Sequence, residues 1–231
     1  MQADHRKAGL PEREVALLDL VEKLTRRPME VTDGDRDALR SAGWSDDELF
    51  YAVLGCAHFN YLNRMADGLG IRLEYETSLP PFEVRDGSRR GAGSANAGTS
   101  SPRPGALPSG PGGEDALVAA LAREPEIAAL VREWRAHVFR PSPGLGAAER
   151  LRLAMVASGV EEPGSDRASR DGVLSAHADR LARRPWTVTE AHIDALRAAG
   201  LDDTAVLQLT ALVAYVSFEG RVCAGLGVSG R

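Results

Sequence analysis

The chain has 231 residues, 43% of them apolar, and a formal net charge of −5. That length supports one large domain or two small ones, each able to bury a core, and the acidic balance, with arginines interspersed among Asp and Glu, leaves no electrostatic footprint for nucleic acid. No apolar run approaches the roughly 20 residues of a membrane span, and the N-terminal MQADHRKAGLPERE lacks a signal-peptide core, so the expectation is a cytoplasmic protein without membrane or nucleic-acid partners.

Residues 11–27 place Pro11 where a first helical turn tolerates it, with Val15, Leu17, Leu18, Val21 and Leu24 at helical spacing and Pro28 as the stop. Thr32 caps a short second helix that Gly43 ends. Ser45 with Glu48 forms a capping-box signature, and the helix it opens runs to Gly68–Gly70 with apolar residues on more than one face, as in a helix packed on several sides. Its polar residues are Cys56, His58, Asn60, Asn63, Arg64 and Asp67. Residues 71–84 read as extended, and a Gly/Ser/Ala/Pro stretch over 86–113 reads as a disordered linker, since it has too little apolar surface to offset its conformational entropy. Helices are then expected at Asp115–Arg123, Glu126–Phe139 and Ala147–Ser158, with a break until about Gly172.

A constant offset of 157 residues superposes Leu17 on Leu174, Arg26-Arg27-Pro28 on Arg183-Arg184-Pro185 and Asp37-Ala38-Leu39-Arg40 on Asp194-Ala195-Leu196-Arg197. It also superposes Arg64 on Arg221 and Gly68-Leu69-Gly70 on Gly225-Leu226-Gly227, without a gap. Each copy is helix, capped short helix, long helix, a unit that hides its apolar faces best against a neighbour. The expected fold is all-α, a tandem repeat of such units forming a pseudo-twofold bundle, divided as 1–85, a linker 86–113, and 114–231.

Residues 17–70, with Lys23-Leu24-Thr25-Arg26, Phe59-Asn60, Asn63-Arg64 and Gly68-Leu69-Gly70, resemble the C-terminal half of the alkylhydroperoxidase D-like, carboxymuconolactone decarboxylase superfamily, especially its peroxidase-related branch. Residues 174–227 match that pattern less closely, and 116–158 resemble the family's N-terminal portion. The resemblance implies a helical fold and assembly into oligomers, here a dimer or trimer of chains. Active members reduce peroxides with a CxxC and a nearby His, a chemistry that needs a low-pKa thiolate and a resolving thiol. Where that motif would follow Ser158, this chain has Gly159-Val160-Glu161-Glu162-Pro163. The only cysteines are Cys56 and Cys223; no CxxC, HExxH or Cys/His cluster is present, and neither metal nor cofactor is expected.

Cys56, Asn60, Asn63 and Asp67 recur at the spacing of one helical face, within reach of Arg64, a pattern that reads as a structural polar network or, functionally, as binding residues Asn60, Asn63 and Arg64. His58 and its counterpart Tyr215 lie on another stripe, continued in the second long helix by Glu219 and Cys223. Were the long helices to pack about the pseudo-twofold, His58, Tyr215, Glu219 and Cys223 would converge, and a His beside a carboxylate is an acid/base pair; the plainer reading is satisfied core residues. The leading expectation is therefore a divergent family member without dithiol peroxidase activity, non-redox or binding a small molecule. The alternatives are a decarboxylase or isomerase using His58 with Glu219 or Arg64, with Tyr215 a further catalytic candidate, and a single-cysteine peroxidase at Cys56.

Overall fold

The computed structural model describes residues 4–71, 113–163, 166 and 168–228. The expected extended segment and linker fall almost wholly outside these residues. The described chain is all-α: a 3-10 turn (His5–Lys7), α1 (Glu12–Arg26), a second 3-10 turn (Pro28–Glu30), α2 (Asp33–Ser41), α3 (Asp46–Gly68), α4 (Gly113–Ala120), α5 (Pro125–Val138), α6 (Ala147–Ser158), α7 (Arg170–Arg183), a further 3-10 turn (Pro185–Thr187), α8 (Glu190–Ala198) and α9 (Asp203–Leu226). Among the described residues the only strand-like pairing is an isolated bridge, Ser142 to Leu145.

The helix starts follow from side-chain chemistry at their caps. At α3 the Ser45 hydroxyl accepts the Glu48 amide at 3.2 Å while Glu48 accepts the Ser45 amide at 2.8 Å, so two otherwise orphaned donors are satisfied reciprocally. Asp35 accepts the Thr32 amide at 2.7 Å to open α2, and His192 Nδ1 accepts the Thr189 amide at 3.1 Å to open α8. Both short helices stop at a glycine in the left-handed region, Gly43 at φ 87° and Gly200 at φ 91°.

Helix α9 is the axis of the core: from Leu209 to Cys223 nearly every side chain is buried, under α3, α4, α6 and α7. By length and composition it is also apolar enough to cross a membrane, which corrects the expectation that no such run exists, yet 83% of that window is buried inside the protein. A core helix has the same composition as a membrane span because both are surrounded by apolar groups. The α3–α9 contact is close because two glycines face it. A Cβ on Gly68 would lie 2.6 Å from Thr210 Cγ2, and one on Gly225 would lie 2.6 Å from Val53 Cγ1. The end of each helix thus meets the first half of the other, so the two run antiparallel. Leu20, Leu24, Leu39, Leu49 and Val53 form a second apolar cluster between α1, α2 and α3, each such buried side chain contributing about 1.5–3 kcal/mol.

Helix α5 lies alongside α3 and runs the same way. The Tyr51 hydroxyl donates to Glu124 at 2.9 Å, and ten residues on in both segments the Tyr61 ring meets Trp134 edge-on at 4.7 Å.

Candidate functional site

Of the four residues expected to converge from two helices, three are neighbours along a single helix. Tyr215, Glu219 and Cys223 lie on one buried face of α9, and the group that meets them is one the sequence reading did not single out: Arg135 of α5 donates from Nη1 to both Glu219 carboxylate oxygens, at 2.6 and 2.8 Å. Glu219 is fully buried and Arg135 nearly so, with its guanidinium 4.6 Å above the Phe139 ring. Burial and the Glu219 charge push the Cys223 thiol up to about 12 and raise Tyr215 above its ordinary value, with Arg135 opposing both. A thiol so placed is protonated at neutral pH and is a poor nucleophile.

His58 does not reach this cluster. It is exposed, its ring 6.3 Å from Tyr61, at the outer end of an aromatic ladder that continues from Tyr61 to Trp134 and, at 4.9 Å, to Tyr215. The carboxylate it would need as an acid/base partner is held by Arg135 instead.

Cys56 is buried between α1 and α3. Its Sγ lies 3.5 Å from the Thr25 hydroxyl and receives the Asn60 amide at 3.7 Å; Asn60 also donates to Thr25 Oγ1 and the Cys56 carbonyl. Cys56 and Cys223 are both free and sit in separate apolar clusters. The Arg64 guanidinium bridges from Asn60, whose backbone and side-chain oxygens it bonds at 2.9 and 3.2 Å, to the Ala182 carbonyl at the end of α7, at 2.7 Å. Arg221 likewise donates to the Ser217 and Thr25 carbonyls, both at 2.9 Å. Burial depresses both arginines, Arg221 to about 10, and for Arg64 the Arg221 charge adds to the effect. Carbonyl oxygens at helix ends, which carry partial negative charge, hold these cations in place of carboxylates. Asn63 is exposed and outside this network.

An open groove of about 710 Å³ lies elsewhere, between the end of α3 and the starts of α8 and α9. Leu69, Val188, Ile193 and Val206 supply apolar walls, and Asp67 and Glu190 supply carboxylates. Arg197 and Asp203 on its rim are committed to each other at 3.0 Å, with Asp194 on the second guanidinium edge. Asp67 is half-buried and accepts no hydrogen bond among the described residues; burial raises its carboxyl above the ordinary value while the Arg64 charge pulls it down. Asp67 was visible in the sequence as a polar residue of the long helix. The opposite wall was not, because it comes from residues more than a hundred positions away that carry no distinctive local pattern.

Among the described residues one His/carboxylate group has donor atoms close enough for a metal, His5, Asp19 and Glu22. It already holds a cation: Arg6 pairs with Asp19 and, at 3.6 Å, with Glu22, while His5 bonds Asp19 at 2.7 Å.

No family model, no curated protein and no solved structure matches this chain.

Proposed function

We propose that the chain is a divergent, non-redox protein of the alkylhydroperoxidase D-like type that binds a small organic cation in the groove ending at Asp67. The pseudo-twofold arrangement of two repeated units belongs to this proposal. What supports it is that residues at the 157-residue offset make matching contacts: Arg64 caps Ala182 and Arg221 caps Thr25, while Gly68 meets Thr210 and Leu181 and Gly225 meets Val53 and Leu24. The redox reading has no support of this kind, since each thiol is buried in its own cluster and Cys223 is held protonated.

The observation that carries the ligand class is Asp67. A half-buried carboxylate that accepts no hydrogen bond among the described residues, at the end of an apolar-walled groove, is partly desolvated, and a protonated amine with an apolar body would bring it a hydrogen-bonding cation and fill the apolar walls. Benzylamine is a suitable probe and benzyl alcohol its neutral control. Benzylamine should bind saturably by calorimetry with Kd of about 1 mM or better, the alcohol should bind at least roughly tenfold more weakly, and Asp67→Asn should remove the difference. No saturable binding, or equal binding by Asp67→Asn, refutes the proposal.

Thiol-dependent peroxide turnover separates the redox alternative. The native chain and Cys56→Ser should both show rates indistinguishable from the uncatalysed reaction. Turnover lost on Cys56→Ser would instead establish a single-cysteine peroxidase.

A further inference from the structure

The outward face of α3 is unusual for a solvated helix. From Leu49 to Asn63 it carries no charged side chain, and Tyr51, Gly55, Phe59 and Leu62 follow one another at the spacing of a single face. Tyr51 is 53% exposed, Phe59 66% and Leu62 43%, and Leu130, on the parallel helix α5, is 67% exposed. Taking roughly 200 Å² for a fully exposed large side chain, these four leave on the order of 400 Å² of apolar surface in water, the size of the largest patch on a typical monomer, which is often a functional one. The sequence offset shows what such a face does elsewhere in the same chain. The residues 157 positions on are Gln208, Leu212, Val216 and Glu219; the last three are buried and Gln208 half-buried, beneath α4, α5 and α6. Among the described residues nothing comparable covers α3.

The geometry points to a second copy of this chain as the occupant, with α3 packed antiparallel on α3 across a twofold axis. The face is self-complementary. Gly55 is a notch, with nothing within 4 Å of where its Cβ would stand, and Phe59, one turn further on, is a knob. An antiparallel partner centred between them seats each Phe59 over the other copy's Gly55, so one operation fills both notches. The same device is already used inside the chain, where Gly68 and Gly225 admit α9 and α3 to each other. Charge does not oppose the pairing. The acidic start of α3 is neutralised within its own copy, Glu48 by Arg13 at 2.6 Å and Asp47 by Arg123, and the contact stripe is uncharged. A stable dimer buries roughly 800 Å² per partner, about twice the estimate for these four residues, so the association is expected in the micromolar range unless flanking polar surface joins the contact.

Sedimentation equilibrium of the full chain, from low micromolar to several hundred micromolar, tests this. A monomer–dimer equilibrium is expected, weakened at least roughly tenfold by Phe59→Lys and unaffected by Leu207→Lys, at an exposed leucine on α9. Gly55→Leu separates contact from fold, because it improves helix propensity while filling the notch; its unfolding midpoint should rise as its dimer weakens. A monomer at every concentration, a trimer, or a dimer indifferent to Phe59→Lys and Gly55→Leu overturns the inference.

Discussion

Arg135→Met is expected to destabilise the protein by about 3–5 kcal/mol at neutral pH, the largest effect of any single substitution considered. The side chain removed is of similar length, so the loss is not mainly of volume. It is the loss of the two charge-assisted hydrogen bonds, at 2.6 and 2.8 Å, that compensate a fully buried carboxylate. Desolvating that carboxylate costs several kcal/mol whether or not the guanidinium is there, and the guanidinium offsets much of that cost. The same argument makes the double substitution milder than the single one. Leu62 occupies the position 157 residues before Glu219, so leucine at 219 is a substitution with precedent in the chain. Arg135→Met with Glu219→Leu should recover to within about 1–2 kcal/mol of the native protein, since replacing both members of a buried ion pair by apolar groups is often neutral. Urea unfolding measures all four corners of the cycle, with constant m as the check that only stability has changed. A double variant no more stable than Arg135→Met would show that Glu219 serves the core in some way other than as the partner of Arg135.

The second large effect is a pH dependence traceable to one imidazole. His177 on α7 is 4% exposed, neither ring nitrogen makes a hydrogen bond among the described residues, and it feels the charges of His192 of α8 and Arg180 of its own helix. Burial, reinforced by protonated His192 and by the Arg180 charge, lowers its pKa from 6.5 to about 4. As pH falls from 6.5 the unfolded chain therefore takes up a proton that the folded chain refuses until about pH 4. Stability is fully present above the unfolded value and is lost through that window. The loss amounts to on the order of 3 kcal/mol, at 1.36 kcal/mol per pKa unit. His192 is shifted in the same direction but is far less buried, so solvent screening leaves it a minor share. The residue 157 positions before His177 is Leu20, itself in the core. His177→Leu should remove two unsatisfied buried nitrogens, stabilise the protein by about 1–3 kcal/mol at pH 7, and flatten the acid slope. Unfolding free energies at several pH values between 4 and 7 would read both effects; parallel slopes for the two proteins would exclude His177 as the titrating group.

The groove and the dimer face illustrate how unevenly function is written along the chain. Helix boundaries were legible because they depend on neighbours in sequence: Ser45 with Glu48, Thr32 with Asp35, and the glycines that leave a helix through positive φ. The polar network on α3 was legible in part for the same reason. Asn60 and Arg64 stand one turn apart, and a helix must bring them together. The other anchor of Arg64, the Ala182 carbonyl, is 118 residues away, and no spacing rule points to it. Arg135 escaped notice because an arginine on an amphipathic helix usually faces water; only the approach of α5 to α9 turns it inward against Glu219. His58 shows the reverse error. Its stripe on α3 corresponds to that of Tyr215 on α9, but in α9 that stripe is covered by α4, α5 and α6, while in α3 it faces outward.

By itself, then, the sequence determined the all-α class, nearly every described helix end and the lack of a CxxC motif. These depend on composition, on hydrogen bonds within a turn or two, and on hydrophobic period, all short-range. The tertiary structure alone decided which of two similar long helices is buried, which carboxylate meets which guanidinium, and where an opening is left. Those outcomes depend on packing between segments more than a hundred residues apart, and a side chain's solvation, which sets its pKa and its chemistry, is fixed only once that packing is complete.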